Sequence, residues 1–215
     1  MFTAEAIMIL KNEGKIDYDV DIREYIPEFP YEGITTRLLL NHRSGLSRYE
    51  SLADAKWPDR KQPFLNEDMI EYYVIHKPDP YFKPNKGFNY SNVNYALLAS
   101  IVERVSGLPF ADYMKIKIFE PLGMDNSYIY EMRDDTTVSL YIEDIVQGYY
   151  LGKRRPIQAQ NEYLNGVKGD KIMISNTRDM FRFWTAVDYG LLVPDSIQDE
   201  AFKPGSPRSR KRKDN

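Results

Sequence analysis

The stretch from Ser91 to Ser106 constrains this chain more than any other. Tyr95, Leu98, Ile101, Val102 and Val105 fall on one stripe at helical spacing, and Gly107 stands where a left-handed terminator fits. A helix with one apolar stripe must bury it against other elements, and the flanking sequence offers several more helices. Residues 2–13 place Phe2, Ala6, Ile7, Ile9 and Leu10 near the same period, ahead of Gly14. Thr35 or Thr36 can cap a short helix through Leu38, Leu39, Leu40 and His42 that closes at Gly45. Asn66-Glu67-Asp68 begins another through Met69, Ile70, Tyr73 and Val74, its acids in the first turn where the helix dipole favours them. Pro109 suits the first turn of a helix from Phe110 to Phe119, closed by the Pro121-Leu122-Gly123 turn. Ser175 or Asn176 caps one through Met180, Phe183, Trp184 and Val187 to Gly190, and a last short helix runs from about Asp195 to Phe202.

Irregular segments separate these. Asp17 to Pro30 reads as a strap with one helical turn around Ile22 to Tyr25, and Ser47 to Pro63 as polar loop. His76 to Gly87 holds Pro78, Pro80 and Pro84 and must be loop. Ser127 to Gln158, rich in Tyr, Val and Ile, reads as two short strands. Arg208 to Asn215 has five Arg or Lys and nothing apolar, so a disordered tail is expected there. The division is one domain over 1–207 and a basic tail over 208–215.

Composition removes several functions. The chain has no Cys, which excludes disulfides and thiolate chemistry. A net charge of -3 gives no general reason to expect nucleic acid, and the tail lacks interleaved aromatics. No apolar run approaches the roughly 20 residues that span a bilayer. The opening Met1-Phe2-Thr3-Ala4-Glu5 puts an acid where a secretion signal has basic residues. The compartment stays open. The seventeen tyrosines are scattered, which favours packing over a stacking surface.

Motif searches narrow the chemistry further. There is no Gly-x-Gly-x-x-Gly or Walker loop, no His-Glu-x-x-His helix and no Gly-x-Ser-x-Gly elbow. His42 and His76 lie in different segments, so no metal site is expected. No serine is followed three residues later by Lys. The nearest approach is Ser175-Asn176-Thr177-Arg178, and an arginine stays protonated and cannot activate a serine.

Four blocks then point to one family. Ile34-Thr35-Thr36-Arg37-Leu38-Leu39-Leu40-Asn41-His42-Arg43-Ser44-Gly45-Leu46 is the first. Tyr90-Ser91-Asn92 with Tyr95-Ala96-Leu97-Leu98 and Ile101-Val102-Glu103 is the second. Ile118-Phe119-Glu120-Pro121-Leu122-Gly123-Met124, and Gly169-Asp170 through Ser175 to Met180, complete the set. Together, in this order, they resemble the β-lactamase-related serine hydrolases, which include penicillin-binding-protein-like enzymes. The resemblance implies an α/β, β-lactamase/transpeptidase-like fold, present mainly as its helical lobe with a few short strands. It implies hydrolysis of an ester, amide or β-lactam bond through an acyl-serine, on a small molecule or peptidoglycan-like peptide, with no cofactor. Family members use Ser-x-x-Lys, then Tyr-x-Asn, then a Lys-Thr-Gly-like strand. By that resemblance the lysine falls just before Met1 and the third motif beyond Pro207. The chain is therefore expected to be a partial domain that cannot form the acyl-enzyme by itself. The alternative is a non-catalytic module of that fold binding a peptide or partner, or a truncated product without function.

The resemblance assigns roles to single residues. Tyr90 is the catalytic candidate, a proton relay whose phenol neighbouring cations would acidify, although a helix-start tyrosine can also simply pack. Asn92 is the substrate-binding candidate, its amide facing a substrate amide or the family's lysine, although it too could merely start a helix. Ser91 is expected to face away and cap the helix. His42 is expected to be structural, satisfying local carbonyls, and His76 exposed. Glu67, Asp68 and Glu71 read as a solvated helix face, and Trp57 as a possible wall of the cleft. Loss of flanking strands would leave sheet-facing apolar surface exposed and the chain poorly stable.

Overall fold

The computed structural model describes residues 1–132, 146, 148–152, 155–158 and 162–205. Eight α-helices occur among them: α1 (Phe2–Asn12), α2 (Thr36–Leu40), α3 (Tyr49–Lys56), α4 (Asn66–His76), α5 (Asn92–Ser106), α6 (Phe110–Met114), α7 (Thr177–Asp188) and α8 (Asp195–Phe202). Four short strands accompany them: β1 (Tyr128–Ile129), β2 (Tyr149–Leu151), β3 (Pro156–Gln158) and β4 (Met173–Ile174).

α5 is the hub, and α1, α2, α4 and α6 all pack on it. The predicted stripe is too narrow. Val93, Ala96, Leu97, Leu98, Ala99, Ile101 and Val102 are all fully buried, whereas Tyr95 and Val105 are only partly so. Small side chains at Ala96, Ala99 and Ser100 let neighbours approach from several sides. Each buried Leu, Ile or Val contributes roughly 1.5–3 kcal/mol. Gly107, at φ 71°, ends the helix as anticipated.

Local signals hold at most other boundaries. The Thr35 hydroxyl accepts the Leu38 N–H and starts α2, and the Asn176 side chain accepts the Asp179 N–H and starts α7. Asp68 caps the start of α4 by accepting the Leu65 N–H at 2.8 Å. The single turn in the strap is a 3-10 turn, Ile22–Glu24. α6 continues into a π-turn, Lys115–Phe119, so the predicted helix over 110–119 has two parts.

Three readings need correction. α2 stops at Leu40 rather than Gly45, because His42 turns into the left-handed region at φ 53°. Ser47 to Pro63 is not all loop: α3 lies inside it and buries Tyr49 and Ala53. Among its described residues, the region 127–158 holds three strands rather than two. β2 pairs with β3, but β1 pairs antiparallel with β4, with Tyr128 opposite Ile174 and Ile129 opposite Met173. Residues 133–145 and the tail expected to be disordered over 208–215 lie outside the described residues. Among the described residues, no helix is long and apolar enough to cross a membrane, and no cluster of His, Asp and Glu could hold a metal ion.

Candidate active-site cleft

Tyr90, Ser91 and Asn92 lead into α5, and three other stretches hold them there. The first is the turn after α2. The loop over 77–91 is laced to it by backbone bonds from Tyr81 N–H to Gly45, from Asn85 N–H to Arg43 and from Asn89 N–H to His42, at 2.8, 2.9 and 3.0 Å. Arg43 is buried and adds side-chain bonds to Asn85 Oδ1 and to its carbonyl, both 2.9 Å. Gly45 makes this possible. At φ 82° a side chain is strained, and a Cβ there would run into the Phe82 carbonyl.

Beneath the lacing lies a buried polar network. Ser44 Oγ donates to Asn94 Oδ1, and Asn94 Nδ2 lies 3.0 Å from His42 Nδ1. The Ser91 N–H also points at that nitrogen, at 3.4 Å. Two donors on Nδ1 make it an acceptor and place the ring proton on Nε2. Burial lowers the pKa of His42, which suits the same neutral state. His42 thus satisfies an amide and a backbone N–H rather than carbonyls. Its ring stacks on Tyr95 at 5.1 Å and lies 4.5 Å from the ring of Tyr90.

The second stretch is the start of α3. Asn92 Nδ2 donates to Glu50 Oε1 at 2.7 Å. A carboxylate only accepts, so this bond fixes the amide's orientation and leaves its carbonyl oxygen for another partner. Arg48, Glu50, Tyr81, Asn89, Tyr90, Ser91 and Asn92 line one cleft of about 450 Å³. Tyr90 is two-thirds exposed there, at 66%. The two sequence candidates therefore open on the same concavity. Ser91 departs from expectation: it is buried, occupies the N-cap position without capping, and its hydroxyl has no hydrogen-bond partner.

The third stretch is the loop before β4. Thr3 on α1 donates to the Gly169 carbonyl at 2.6 Å, and Gly169, at φ 98°, sits against Ala99 and the Tyr95 carbonyl too tightly for a Cβ. This places Asp170 beside α3. The Tyr49 hydroxyl donates to Asp170 Oδ2 and accepts from Lys171 Nζ, both at 2.8 Å. Burial pushes the Asp170 carboxyl up to about 6, with Glu50 adding to the rise. The same burial and the adjacent Asp170 push the Tyr49 phenol up, so it serves as a fixed donor.

Sequence reading missed Glu50, Arg48 and Tyr81, and it misplaced Trp57. Trp57 packs on Phe64 and Tyr72 and donates to the Gln62 carbonyl, away from the cleft. His76 is exposed at the end of α4, and Glu67 and Asp68 serve an ion pair with Arg104 and the helix start.

Comparison with known proteins adds an independent line. The family model for beta-lactamase matches residues 1–213. Penicillin-binding protein 4* of Bacillus subtilis is 35% identical over 209 residues, covering 94% of this chain and 46% of that protein. The octameric penicillin-binding protein homologue from Pyrococcus abyssi superposes with a TM-score of 0.75 at 28% identity, over 92% of this chain and 45% of that one. The D-amino acid amidase from Ochrobactrum anthropi SV3, complexed with D-phenylalanine, gives a TM-score of 0.70 at 25% identity, over 92% and 56% respectively. The chain spans about half the length of the relatives named first.

Proposed function

The chain belongs to the beta-lactamase family, and from that premise we propose that Tyr90 and Asn92 form one wall of an acyl-serine hydrolase site for ester, amide or β-lactam bonds. The observation that carries this reading is that both side chains, two residues apart at the entry to one helix, line a single cleft. In the proposed chemistry a serine attacks the carbonyl while Tyr90, as its phenolate, takes the serine proton, and the phenol so formed passes that proton to the leaving group. Asn92, held by Glu50, offers its carbonyl oxygen to an N–H of the substrate or to the lysine that accompanies the serine. The exposed phenol of Tyr90 is accessible to a bound molecule, as such a relay requires.

These 215 residues contain no Ser-x-x-Lys, so they carry the wall and not the nucleophile. In this reading Tyr90 moves a proton and Asn92 holds the substrate, and neither forms a covalent intermediate. The 215-residue chain is expected to take no covalent label from a fluorescent penicillin and to leave nitrocefin and p-nitrophenyl acetate at the uncatalysed rate. Stoichiometric labelling, located by mass spectrometry to Ser91 or another serine, would overturn the assignment of roles.

A further inference from the structure

We propose that the outer face of α7 is the contact surface for a second copy of this chain, the two α7 helices lying antiparallel about a two-fold axis near Phe183.

The face follows from helical spacing. Asp179, Phe183, Ala186 and Val187 are the buried residues of α7 and hold one side of it against the core. Arg178, Phe181, Trp184 and Asp188 recur at intervals of three, three and four, so they share a stripe on the opposite side. All four are exposed, Phe181 at 72% and Trp184 at 46%. Along the helix the stripe therefore runs cation, aromatic, aromatic, anion.

Its two charges sit at the wrong ends of their own helix. The first turn of a helix carries partial positive charge and the last turn partial negative charge, so the dipole disfavours both Arg178 and Asp188. Neither makes an ion pair among the described residues. An antiparallel copy reverses this. Arg178 and Asp188 stand symmetrically about Phe183, and Phe181 and Trp184 flank that same residue. One two-fold axis thus brings Arg178 to the partner's Asp188 and Phe181 to the partner's Trp184, and repeats both pairs on its other side. Each charge then meets an opposite charge at the helix end that suits it. A partner of a single sign, anionic or cationic, would leave one end of the stripe facing its own sign.

Area sets the strength. Phe181, Trp184 and the following Tyr189, itself 76% exposed, present on the order of 400 Å² together. That is about half of one partner's share of a standard interface, so a reversible dimer dissociating at roughly 10–100 μM is expected. Sedimentation velocity of the 215-residue chain between about 5 and 500 μM should show a closed monomer–dimer equilibrium. Trp184 is one of two tryptophans, and its emission should move to the blue over the same range as it leaves water. Arg178→Asp sets a like charge against the partner's Asp188, and Asp188→Arg does so against the partner's Arg178. Each should weaken the dimer at least about tenfold. Mixing the two variants pairs opposite charges at both ends again and should restore association. Melting curves verify that the variants fold, and if one does not, the concentration series on the unaltered chain decides. A chain that stays monomeric throughout, or that grows past the dimer without limit, would overturn the inference. So would a dimer that ignores both reversals, or a monomer that instead floats with neutral lipid vesicles.

Discussion

At the scale of single residues, Glu5 carries the clearest consequence. It lies on α1 at 3% exposure, and burial pushes its carboxyl up from 4.5 to about 7, against the pull of the chain's own α-amino group. The folded chain therefore holds a proton that the unfolded chain gives up above pH 4.5, and stability falls as pH rises between 4.5 and about 7. Asp170 contributes with the same sign between 3.8 and about 6. Glu5→Gln removes the charge and keeps the shape. It should stabilise the chain on the order of 2 kcal/mol at about pH 8, an upper limit discounted for water reaching the site, and change little near pH 4.5. Urea unfolding at both pH values measures this, and an equal effect at the two would show that the charge is not the cause. Glu5 was not legible beforehand as a buried acid, because Phe2, Ala6, Ile7, Ile9 and Leu10 describe a stripe without saying how wide the covering is. Tyr90 and Asn92 were legible as a pair through their motif. Glu50 was not, since it meets Asn92 across 42 positions with no local pattern to announce it.

Among elements, the lacing between the turn after α2 and the loop over 77–91 decides where Tyr90 stands. Gly45→Ala forces a Cβ against the Phe82 carbonyl at a left-handed position, and should cost about 2–4 kcal/mol while displacing Tyr90. Gly107→Ala is the control. Its φ is 71°, but a Cβ there meets open space, so only about 1–2 kcal/mol is expected. Thermal melts compare the two, and amide chemical shifts around residues 89–92 should move in the first variant alone. Helices with their own caps and stripes, such as α5 and α7, could be placed from sequence because the signals are local. α3 could not: Arg48 gives no side-chain cap, and its buried face is short, with Tyr49 and Ala53 as its buried residues. The β1–β4 pair joins two-residue strands more than forty positions apart, and so short a strand has no alternation to read.

For the whole molecule, the exposed apolar side chains stand out. Phe181 and Trp184 lie one turn apart on α7 at 72% and 46% exposure, and Tyr189, Leu191 and Phe202 follow at 76%, 66% and 70%. Apolar surface on this scale makes a chain sticky. Phe181→Lys combined with Trp184→Lys should lower binding of a hydrophobic dye and raise the concentration at which light scattering sets in, leaving the melting temperature nearly unchanged. An unaltered scattering threshold would place the liability elsewhere. The family architecture was legible because its four blocks survive in order, whereas this outer face depends on what surrounds the helices. The pairing of His42 with Tyr90 and Tyr95 has a practical outcome of another kind. Aromatic rings that close shift the magnetic resonance of the imidazole protons between them, and the chain has just two histidines to assign. Any molecule that moves the Tyr90 ring would announce itself at the His42 signal, with no label attached to the protein.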